Sequence, residues 1–404
     1  MSAGRRALVI GGSLGGLFAA NLLARAGWDV EVFERVGAEL ADRGAGIVTH
    51  GELFRALQRI GIAIDDTIGI EAQTRTVLDR TGKLVAELQF PQVLTAWGRL
   101  YGLLKEAFPA ARYHFNKSFW RAEAEGDSVT AHFADGTRAD GDLLIGADGI
   151  RSSVRAQFLP QAKPAYAGYV AWRGMVDETM LSDAARRGLF GSMAFCLPAG
   201  EMMLGYLVAG LRNTTAAGER RYNFVWYRPA DAAAALPELL TDAQGQRYDM
   251  NIPPDRVRPE AVADMRAAAR RLLAPQFAEV VEKTAQPFFQ PIYDLESPRV
   301  AIGRVALIGD AGFVARPHLG LGVTKAAADA VALADAIAGN PGDLDAALTE
   351  FDAVRVDYGR KVVAEARRLG SGIGPEVPRD RDPALVARYR TPEIVISEVA
   401  PPIA

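Results

Sequence analysis

A glycine-rich turn near the N-terminus has the composition of a phosphate-binding loop. The segment 11–16, Gly-Gly-Ser-Leu-Gly-Gly, directly follows a short apolar run, and Glu34 stands 23 residues after Gly11. Glycines at a strand end permit a tight turn, and the free N–H groups of the next helix attract a pyrophosphate. An acidic residue at such a distance accepts hydrogen bonds from ribose hydroxyls. The predicted dinucleotide contacts are Gly11, Ser13, Leu14, Gly16, Glu34 and Arg35, with Ser13 in place of the usual second glycine.

Two more acidic residues follow apolar runs further along the chain. Asp148 comes after 143–146, Leu-Leu-Ile-Gly, and Asp310 comes after 305–308, Val-Ala-Leu-Ile and a glycine. Open α/β sheets bind their ligands at the carboxyl ends of the strands, so Asp310 is well placed to accept a hydrogen bond from a ligand hydroxyl. A helix N-cap is the alternative role for Asp310, and the two roles are compatible.

Acid–base and aromatic candidates lie in the second half of the chain. His318 is the best acid–base candidate, because it follows Pro317 beside a glycine-rich loop and imidazole titrates near neutral pH. A structural hydrogen-bonding role is the alternative. In the run 166–175, period-two alternation places Tyr169 and Arg173 on one face of a strand, where they can contact a substrate. Tyr206, Trp226 and Tyr227 are further candidates for an aromatic pocket, although aromatic residues in strands are often core.

The elements that must position these residues change in type along the chain. Both ends show short apolar strands followed by helices, whereas 166–227 is rich in aromatic and β-branched residues with little helical periodicity, and a helix-like stretch follows over 259–273. This predicts an α/β fold: a doubly wound, Rossmann-like dinucleotide-binding domain built from 1–72, 97–165 and 296–343. An antiparallel-sheet substrate domain is inserted as 73–96 and 166–295. A C-terminal helix over 344–369 and a proline-rich tail complete residues 344–404.

Composition excludes several classes of protein. The 404 residues carry a net charge of −3 and no dense Lys/Arg block, which excludes a typical nucleic-acid binder. The single Cys196 precludes an internal disulfide and is expected to be a buried apolar residue rather than a reactive thiol. The histidines lack metal-ligand spacing, so we assign no metal. No apolar stretch approaches the roughly 18 residues of a membrane span, and a cytoplasmic enzyme is expected.

The three acidic motifs together resemble the class A, single-component flavoprotein aromatic hydroxylases. The segment 148–155, Asp-Gly-Ile-Arg-Ser-Ser-Val-Arg, looks like one family fingerprint, and 309–311 with 317–322 looks like another. Segments 166–174, 223–227 and 316–318 most resemble the subgroup that hydroxylates N-heteroaromatic rings. Thr324 departs from the asparagine that many members carry beside the flavin.

The resemblance implies a cofactor and a reaction. FAD would be bound tightly without a covalent link, and NADH or NADPH would be a transient reductant, with NADH favoured. A small aromatic substrate, such as a hydroxypyridine, would react with O2 through a C4a-hydroperoxyflavin. The residues that the resemblance adds to the flavin contacts are Arg43, Arg99, Asp148, Asp310, Gly320, Gly322 and Val323. Arg43 and Arg99 are equally compatible with solvated surface positions.

Two other functions fit the same flavin site. An FAD oxidase or dehydrogenase would take a hydride from its substrate without oxygenating it, and a flavin-binding regulator would show no turnover. The long helix 344–369 is expected either to pack on the FAD-binding domain or to form a homodimer contact.

Overall fold

The computed structural model describes residues 5–40, 46–374 and 382–400. Its strands are β1 Arg6–Ile10, β2 Asp29–Phe33, β3 Gly46–Val48, β4 Ile70–Leu78, β5 Leu84–Ala96, β6 Tyr113–His114, β7 Phe119–Glu125, β8 Ser128–Phe133, β9 Arg138–Gly141, β10 Leu143–Gly146, β11 Ala165–Asp177, β12 Ser192–Cys196, β13 Met202–Val208, β14 Arg221–Pro229, β15 Phe288–Glu296, β16 Ala301–Ile302, β17 Val305–Leu307 and β18 Phe313–Val314. Its helices are α1 Leu14–Arg25, α2 Gly51–Ile60, α3 Trp97–Glu106, α4 Ser153–Phe158, α5 Asp183–Leu189, α6 Ala235–Leu239, α7 Pro259–Leu272, α8 Pro275–Lys283, α9 Gly322–Gly339, α10 Leu344–Leu369, α11 Pro383–Arg388 and α12 Pro392–Glu398.

The first sheet joins strands that are far apart in the sequence. Its order is β16-β17-β10-β1-β2-β6, and β1 pairs in parallel with both β2 and β10. Strand β10 pairs in parallel with β17. The apolar strands are buried on both faces, as parallel sheets require. This arrangement confirms the predicted Rossmann-like domain assembled from separate segments, with α1 packed against α9.

The second sheet is larger and mostly antiparallel. Its order is β18-β15-β11-β14-β13-β12-β4-β5-β3, with β12 and β4 as a parallel pair. Helices α5, α7 and α8 cover one face, because apolar residues alternate along the strands and pack against them. A separate meander of β7, β8 and β9 lies between the third helix and β10 in the chain. The sheet confirms the predicted antiparallel insert.

The segments of the two sheets interleave more than the proposed domain limits allow. Strand β3 and the start of β4 fall in the segment 1–72, assigned to the FAD-binding domain, yet they pair within the large sheet. The local sequence of such a short strand does not indicate which of the two sheets it will join. The rest of the division into domains stays a prediction.

The C-terminal region contains more helix than expected. Helix α10 packs along α9, so it covers the first sheet's domain, the first of its two expected positions. The tail was expected to be irregular, but within 382–400 it forms α11 and α12, each with a proline at its start. Proline suits the first turn of a helix because its missing N–H would be unpaired there. No helix in the described ranges is long and apolar enough to cross a membrane.

Candidate cofactor and substrate site

The three acidic motifs meet at one cavity of about 570 Å³. That is the size range of a small-molecule or cofactor site. The predicted contacts that line it are Gly11, Ser13, Leu14, Glu34, Arg35, Asp148, Asp310, Gly322 and Val323. Gly16, Arg99 and Gly320 are not among the lining residues, and Arg43 lies outside the described residues.

Gly11 occupies a position that only glycine can take. Its φ is +104°, and an added Cβ would stand 2.5 Å from the carbonyl oxygen of Ala147. The chain therefore turns directly against the segment that leads to Asp148. An added Cβ on Gly16 would meet the carbonyl oxygen of Gly11 at 1.9 Å, so Gly16 lets α1 approach the turn rather than touching the cavity.

The N-terminus of α1 opens toward the cavity. Ser13 is the extended N-cap, and its side chain makes no capping hydrogen bond within the described residues. The first turn of α1 carries no acidic residue. Free amides and the positive end of the helix dipole therefore face the cavity, which is the arrangement that binds a pyrophosphate.

Glu34 ties the glycine turn to the second strand. One carboxylate oxygen accepts a hydrogen bond from the Gly12 N–H at 2.8 Å, and the other accepts from the Val36 N–H at 2.9 Å. Each carboxylate oxygen can accept more than one hydrogen bond. Glu34 also lines the cavity, so it can hold the turn and accept from a ribose hydroxyl at the same time.

Asp148 has one carboxylate oxygen left for a ligand. Its Oδ2 accepts from the backbone N–H groups of Ser153 at 2.7 Å and Val154 at 3.2 Å, at the start of α4. Its Oδ1 is buried and has no hydrogen-bond partner in the described part of the chain. Burial raises the pKa of this carboxyl. A buried unpaired oxygen is costly, so a donor from a bound group fits here.

The turn that carries Asp310 rests on a buried ionic network. Asp329 accepts from the Gly309 N–H at 2.8 Å, and Lys325 donates to the Gly309 carbonyl at 2.8 Å. Arg355 of α10 donates to Asp329 at 2.7 Å. Burial raises the pKa of Asp310, which opens onto the cavity, and the ammonium of Lys325 opposes that rise.

Arg155 connects the second and third motifs, a role that the sequence reasoning missed. The side chain is buried and donates to the carbonyl oxygens of Asp310 at 3.3 Å and Ala311 at 3.0 Å. Burial lowers its pKa, and the carboxylates of Asp148 and Asp310 oppose that effect. The signal was available, because a basic residue stands seven positions after Asp148, between the apolar residues Val154 and Ala156 of a short helix.

Three positions named in the sequence analysis, Arg99, Gly320 and Thr324, do not line the cavity. Arg99 donates to the Thr67 hydroxyl at 2.6 Å. Gly320 has a φ of +66° and an added Cβ would lie 3.0 Å from Val48, so the loop passes close to β3. Thr324 is buried and shares a hydrogen bond of 3.1 Å with His50.

His318 forms a buried pair with Tyr169. Its Nε2 and the tyrosine hydroxyl share a hydrogen bond of 2.7 Å, and the ring of Tyr227 lies 4.7 Å from the imidazole. Burial, and then the charge of Arg316, lower the pKa of His318 to about 3. Burial raises the pKa of Tyr169 far above its usual value. Both members of the pair are therefore neutral at physiological pH.

Arg316 is the nearest charged group to this pair. It donates to both carboxylate oxygens of Asp294, with contacts from 2.9 to 3.2 Å. Its guanidinium carbon lies 5.7 Å from the centre of the Tyr169 ring. The fork-like ion pair holds the arginine in place, because a bidentate geometry constrains both partners.

Strand alternation places Tyr206 and Arg173 with Tyr169 but Trp226 elsewhere. Tyr169 and Tyr206 share one apolar cluster, while Trp226 packs with Trp172 beneath the helices on the opposite face. Trp226 as a substrate contact was therefore wrong. Its neighbours Val225 and Tyr227 lie on the same face of the sheet as Tyr169, because side chains alternate between the two faces along a strand.

The Tyr169 face also carries Asn223, which the sequence reasoning missed, and Tyr227, which it named. Asn223 is fully buried opposite Tyr206, and its Oδ1 accepts from the Gly46 N–H at 3.2 Å. Burial raises the pKa of Tyr227 to about 12, and the positive charge of Arg173 opposes the rise. The alternation that identified Tyr169 would also have identified Asn223 if it had been applied to β14.

The comparisons with known proteins agree with this geometry. A family described as FAD binding domain-like matches residues 166–294. The 2,6-dihydroxypyridine 3-monooxygenase of Paenarthrobacter nicotinovorans is 32% identical over 369 residues, which cover 91% of each chain. The solved 2,6-dihydroxypyridine-3-hydroxylase of Arthrobacter nicotinovorans has a TM-score of 0.86 at 31% identity, covering 94% of this chain and 96% of that one. Klebsiella pneumoniae HpxO, solved with FAD and uric acid, has a TM-score of 0.76 at 26% identity, covering 97% of this chain and 92% of that one.

The chain therefore belongs to the single-component, FAD-dependent aromatic monooxygenases. This confirms the resemblance drawn from the three motifs, and with it FAD as the cofactor. An FAD oxidase or dehydrogenase is not favoured, because the relatives are monooxygenases of hydroxylated aromatic rings.

Proposed function

We propose that this protein hydroxylates a hydroxylated N-heteroaromatic ring, such as a dihydroxypyridine, at the expense of O2 and NADH. The observation that carries the proposal is the convergence of the motifs around Gly11, Asp148 and Asp310 on one cavity. The named relatives that act on dihydroxypyridine and hydroxynicotinate support the choice of ring. NADH rather than NADPH rests only on the family resemblance.

The cavity's own residues fit an adenine dinucleotide. When bound, FAD supplies the redox chemistry by which a nicotinamide reductant activates O2. The amides of Ser13 and α1 would hold its pyrophosphate, and Glu34 would accept from a ribose hydroxyl. The unpaired Oδ1 of Asp148 and the carboxylate of Asp310 would accept from further cofactor groups. Gly322 and Val323 begin α9, whose positive end would stabilise negative charge on a reduced cofactor.

On the substrate side, the Tyr169–His318 pair would orient the ring. A pKa of about 3 makes His318 a weak general base, so we propose that it acts as a hydrogen-bond acceptor for Tyr169 rather than as an acid–base catalyst. Neutral His318 accepts from Tyr169 and thereby directs the tyrosine oxygen toward a ring hydroxyl, which donates to it. Arg173, on the same face, would stabilise the partial negative charge that develops on the oxygen of the ring hydroxyl.

The test is a panel of hydroxypyridines and hydroxybenzoates with the purified FAD-loaded protein. We expect 2,6-dihydroxypyridine to stimulate NADH oxidation and to yield a product that contains one atom of ¹⁸O from ¹⁸O2. Paired kcat/KM values for NADH and NADPH decide the reductant. NADH oxidation that yields only hydrogen peroxide with every compound would contradict the proposed substrates, and an oxidised product without ¹⁸O would indicate an oxidase.

A further inference from the structure

The C-terminal segment 392–400 packs on the face of the large sheet that carries the substrate-side residues. Val395, Ile396 and Val399 are buried in the same cluster as Tyr169, Tyr206 and Tyr227. Helix α12 contacts β4 and β5 on that face. A segment almost 400 residues from the glycine turn therefore borders the predicted substrate site.

Arg75 of β4 holds this segment through the end of its helix. It donates to the carbonyl oxygen of Ile396 at 3.1 Å, to those of Val399 and Ala400, and to the side-chain oxygen of Gln92 at 2.7 Å. The last carbonyls of a helix have no partners within it, so a buried cation that donates to Ile396 and to the two residues after the helix caps its end.

The burial of the Arg75 side chain is unusual for a charged group. The side chain is fully buried, and burial lowers its pKa to about 10, so it still carries its proton at neutral pH. Among the described residues its hydrogen-bond partners are carbonyl oxygens and one amide oxygen, without a carboxylate. An arginine buried without an ion pair is costly. That cost is offset only while the segment stays docked.

The far end of the segment reaches the loop of His318. The Ala400 N–H donates to the His318 carbonyl oxygen at 2.7 Å, and the Cβ of Ala400 would stand 3.2 Å from a Cβ added to Gly320. On the other side, a Cβ added to Gly370 would lie 2.9 Å from the His318 ring and 3.0 Å from the Tyr169 hydroxyl. The Tyr169–His318 pair is thus enclosed between two parts of the C-terminal region.

We infer that residues 392–400 form a wall of the substrate chamber and that Arg75 is the positioning residue that sets this wall in place. The inference rests on the proposed function. The wall keeps the turn 317–320 at its position through the Ala400 hydrogen bond and keeps water from the reacting ring. Water that enters such a site diverts reducing equivalents into hydrogen peroxide.

The experiment compares Arg75→Met with Arg220→Met in the FAD-loaded protein. Arg220 is also tied to a buried partner, because it pairs with Glu178 at 2.8 Å, but within the described residues its hydrogen bonds go to Glu178 and not to the C-terminal segment. We expect Arg75→Met to lower kcat/KM for 2,6-dihydroxypyridine by roughly ten- to a hundredfold, the range expected when a reacting group is displaced by about 1 Å. The peroxide released per NADH should rise, Arg75→Lys should be intermediate, and Arg220→Met should match the wild type.

Two readouts separate this inference from the proposed reaction. Iodide quenching of flavin fluorescence and the dissociation constant of 2,6-dihydroxypyridine, read from the flavin spectrum, need no turnover. Both should rise in Arg75→Met and in Ile396→Asp, which places a charge on the buried side of α12 and serves if Arg75→Met does not fold. Faster tryptic cleavage at Arg388 reports release of the segment. Release of the segment with unchanged iodide quenching and an unchanged dissociation constant would overturn the inference that residues 392–400 form a wall. Raised quenching in an enzyme that never oxygenates a ring would overturn only the proposed reaction.

Discussion

The cofactor cavity and the Tyr169–His318 cluster are built from different kinds of groups. At the cavity, backbone atoms at glycine turns and charged side chains define the shape: Gly11 leaves no space for a Cβ, and Asp329 neutralises two cations beneath Asp310. At the cluster, neutral aromatic side chains surround a histidine whose charge is suppressed by burial. The first region tolerates few changes of backbone, and the second is sensitive to changes of polarity.

The largest effect on cofactor binding should follow from a methyl group at the glycine turn. Gly11→Ala adds a Cβ where φ is +104° and the Ala147 oxygen is 2.5 Å away. Backbone strain of about 1–3 kcal/mol and the clash with a neighbouring backbone should weaken FAD binding at least about tenfold. FAD per chain after gel filtration measures the loss. Gly27→Ala is the control, since the φ of Gly27 is +88° but nothing lies within 4 Å of an added Cβ. Equal FAD content in both variants would show that the close approach of Gly11 to Ala147 is not needed for FAD binding.

The ionic network beneath the cavity should come next. Asp329→Asn leaves Lys325 and Arg355 as buried cations without their shared carboxylate. Breaking a buried pair in this way costs about 3–5 kcal/mol in the free energy of unfolding. Urea unfolding of the FAD-free protein measures it. Asp335→Asn is the control. Asp335 lies on the same helix as Asp329, but its ion pair with Arg59 is exposed, so the expected cost in the free energy of unfolding is about 0–1 kcal/mol. Similar costs for both would mean that the network is not stabilising.

A pH dependence should distinguish the cluster from the cavity. The folded pKa of His318 is about 3 against a usual 6.5, so below pH 6.5 the unfolded chain binds a proton that the folded chain does not. Stability should therefore fall as pH is lowered from 6.5 toward 3, by up to about 1.4 kcal/mol per pH unit. In His318→Gln this contribution is absent, so the stability advantage of the wild type should shrink as pH falls. Urea unfolding at pH 7.5, 6 and 5 tests this, and a constant difference would show that His318 titrates normally.

The smallest effect should separate the two faces of the large sheet. Tyr206→Phe removes a hydroxyl from the Tyr169 face, and a lost hydrogen bond of about 1 kcal/mol should raise KM for 2,6-dihydroxypyridine about fivefold. Trp226→Phe, on the helix-covered face, should leave KM unchanged and lower stability instead. Steady-state kinetics and thermal unfolding distinguish the two, and a KM effect at Trp226 alone would return that residue to the substrate site.

Much of the cofactor side was open to prediction because its signals are local. Strands β10 and β17 and helix α10 match the expected segments 143–146, 305–308 and 344–369 within one residue. Such apolar runs and the glycines that end them can be recognised in each short segment separately. Helix α8 was missed, since it follows α7 after only two residues, directly beyond the predicted helix-like stretch. Arg155 was missed because its partners are backbone oxygens more than 150 residues away.

By itself, the sequence determined that three glycine-containing turns end buried strands and that a strand-rich insert separates them. Those features depend on the φ angle that a residue can adopt and on the spacing of apolar side chains, which are properties of short segments. Only the tertiary structure decided that Tyr169 meets His318, that Trp226 faces away, and that Arg75 caps the last helix. Burial, pKa and hydrogen-bond partners depend on atoms from all parts of the chain, and no local pattern contains them.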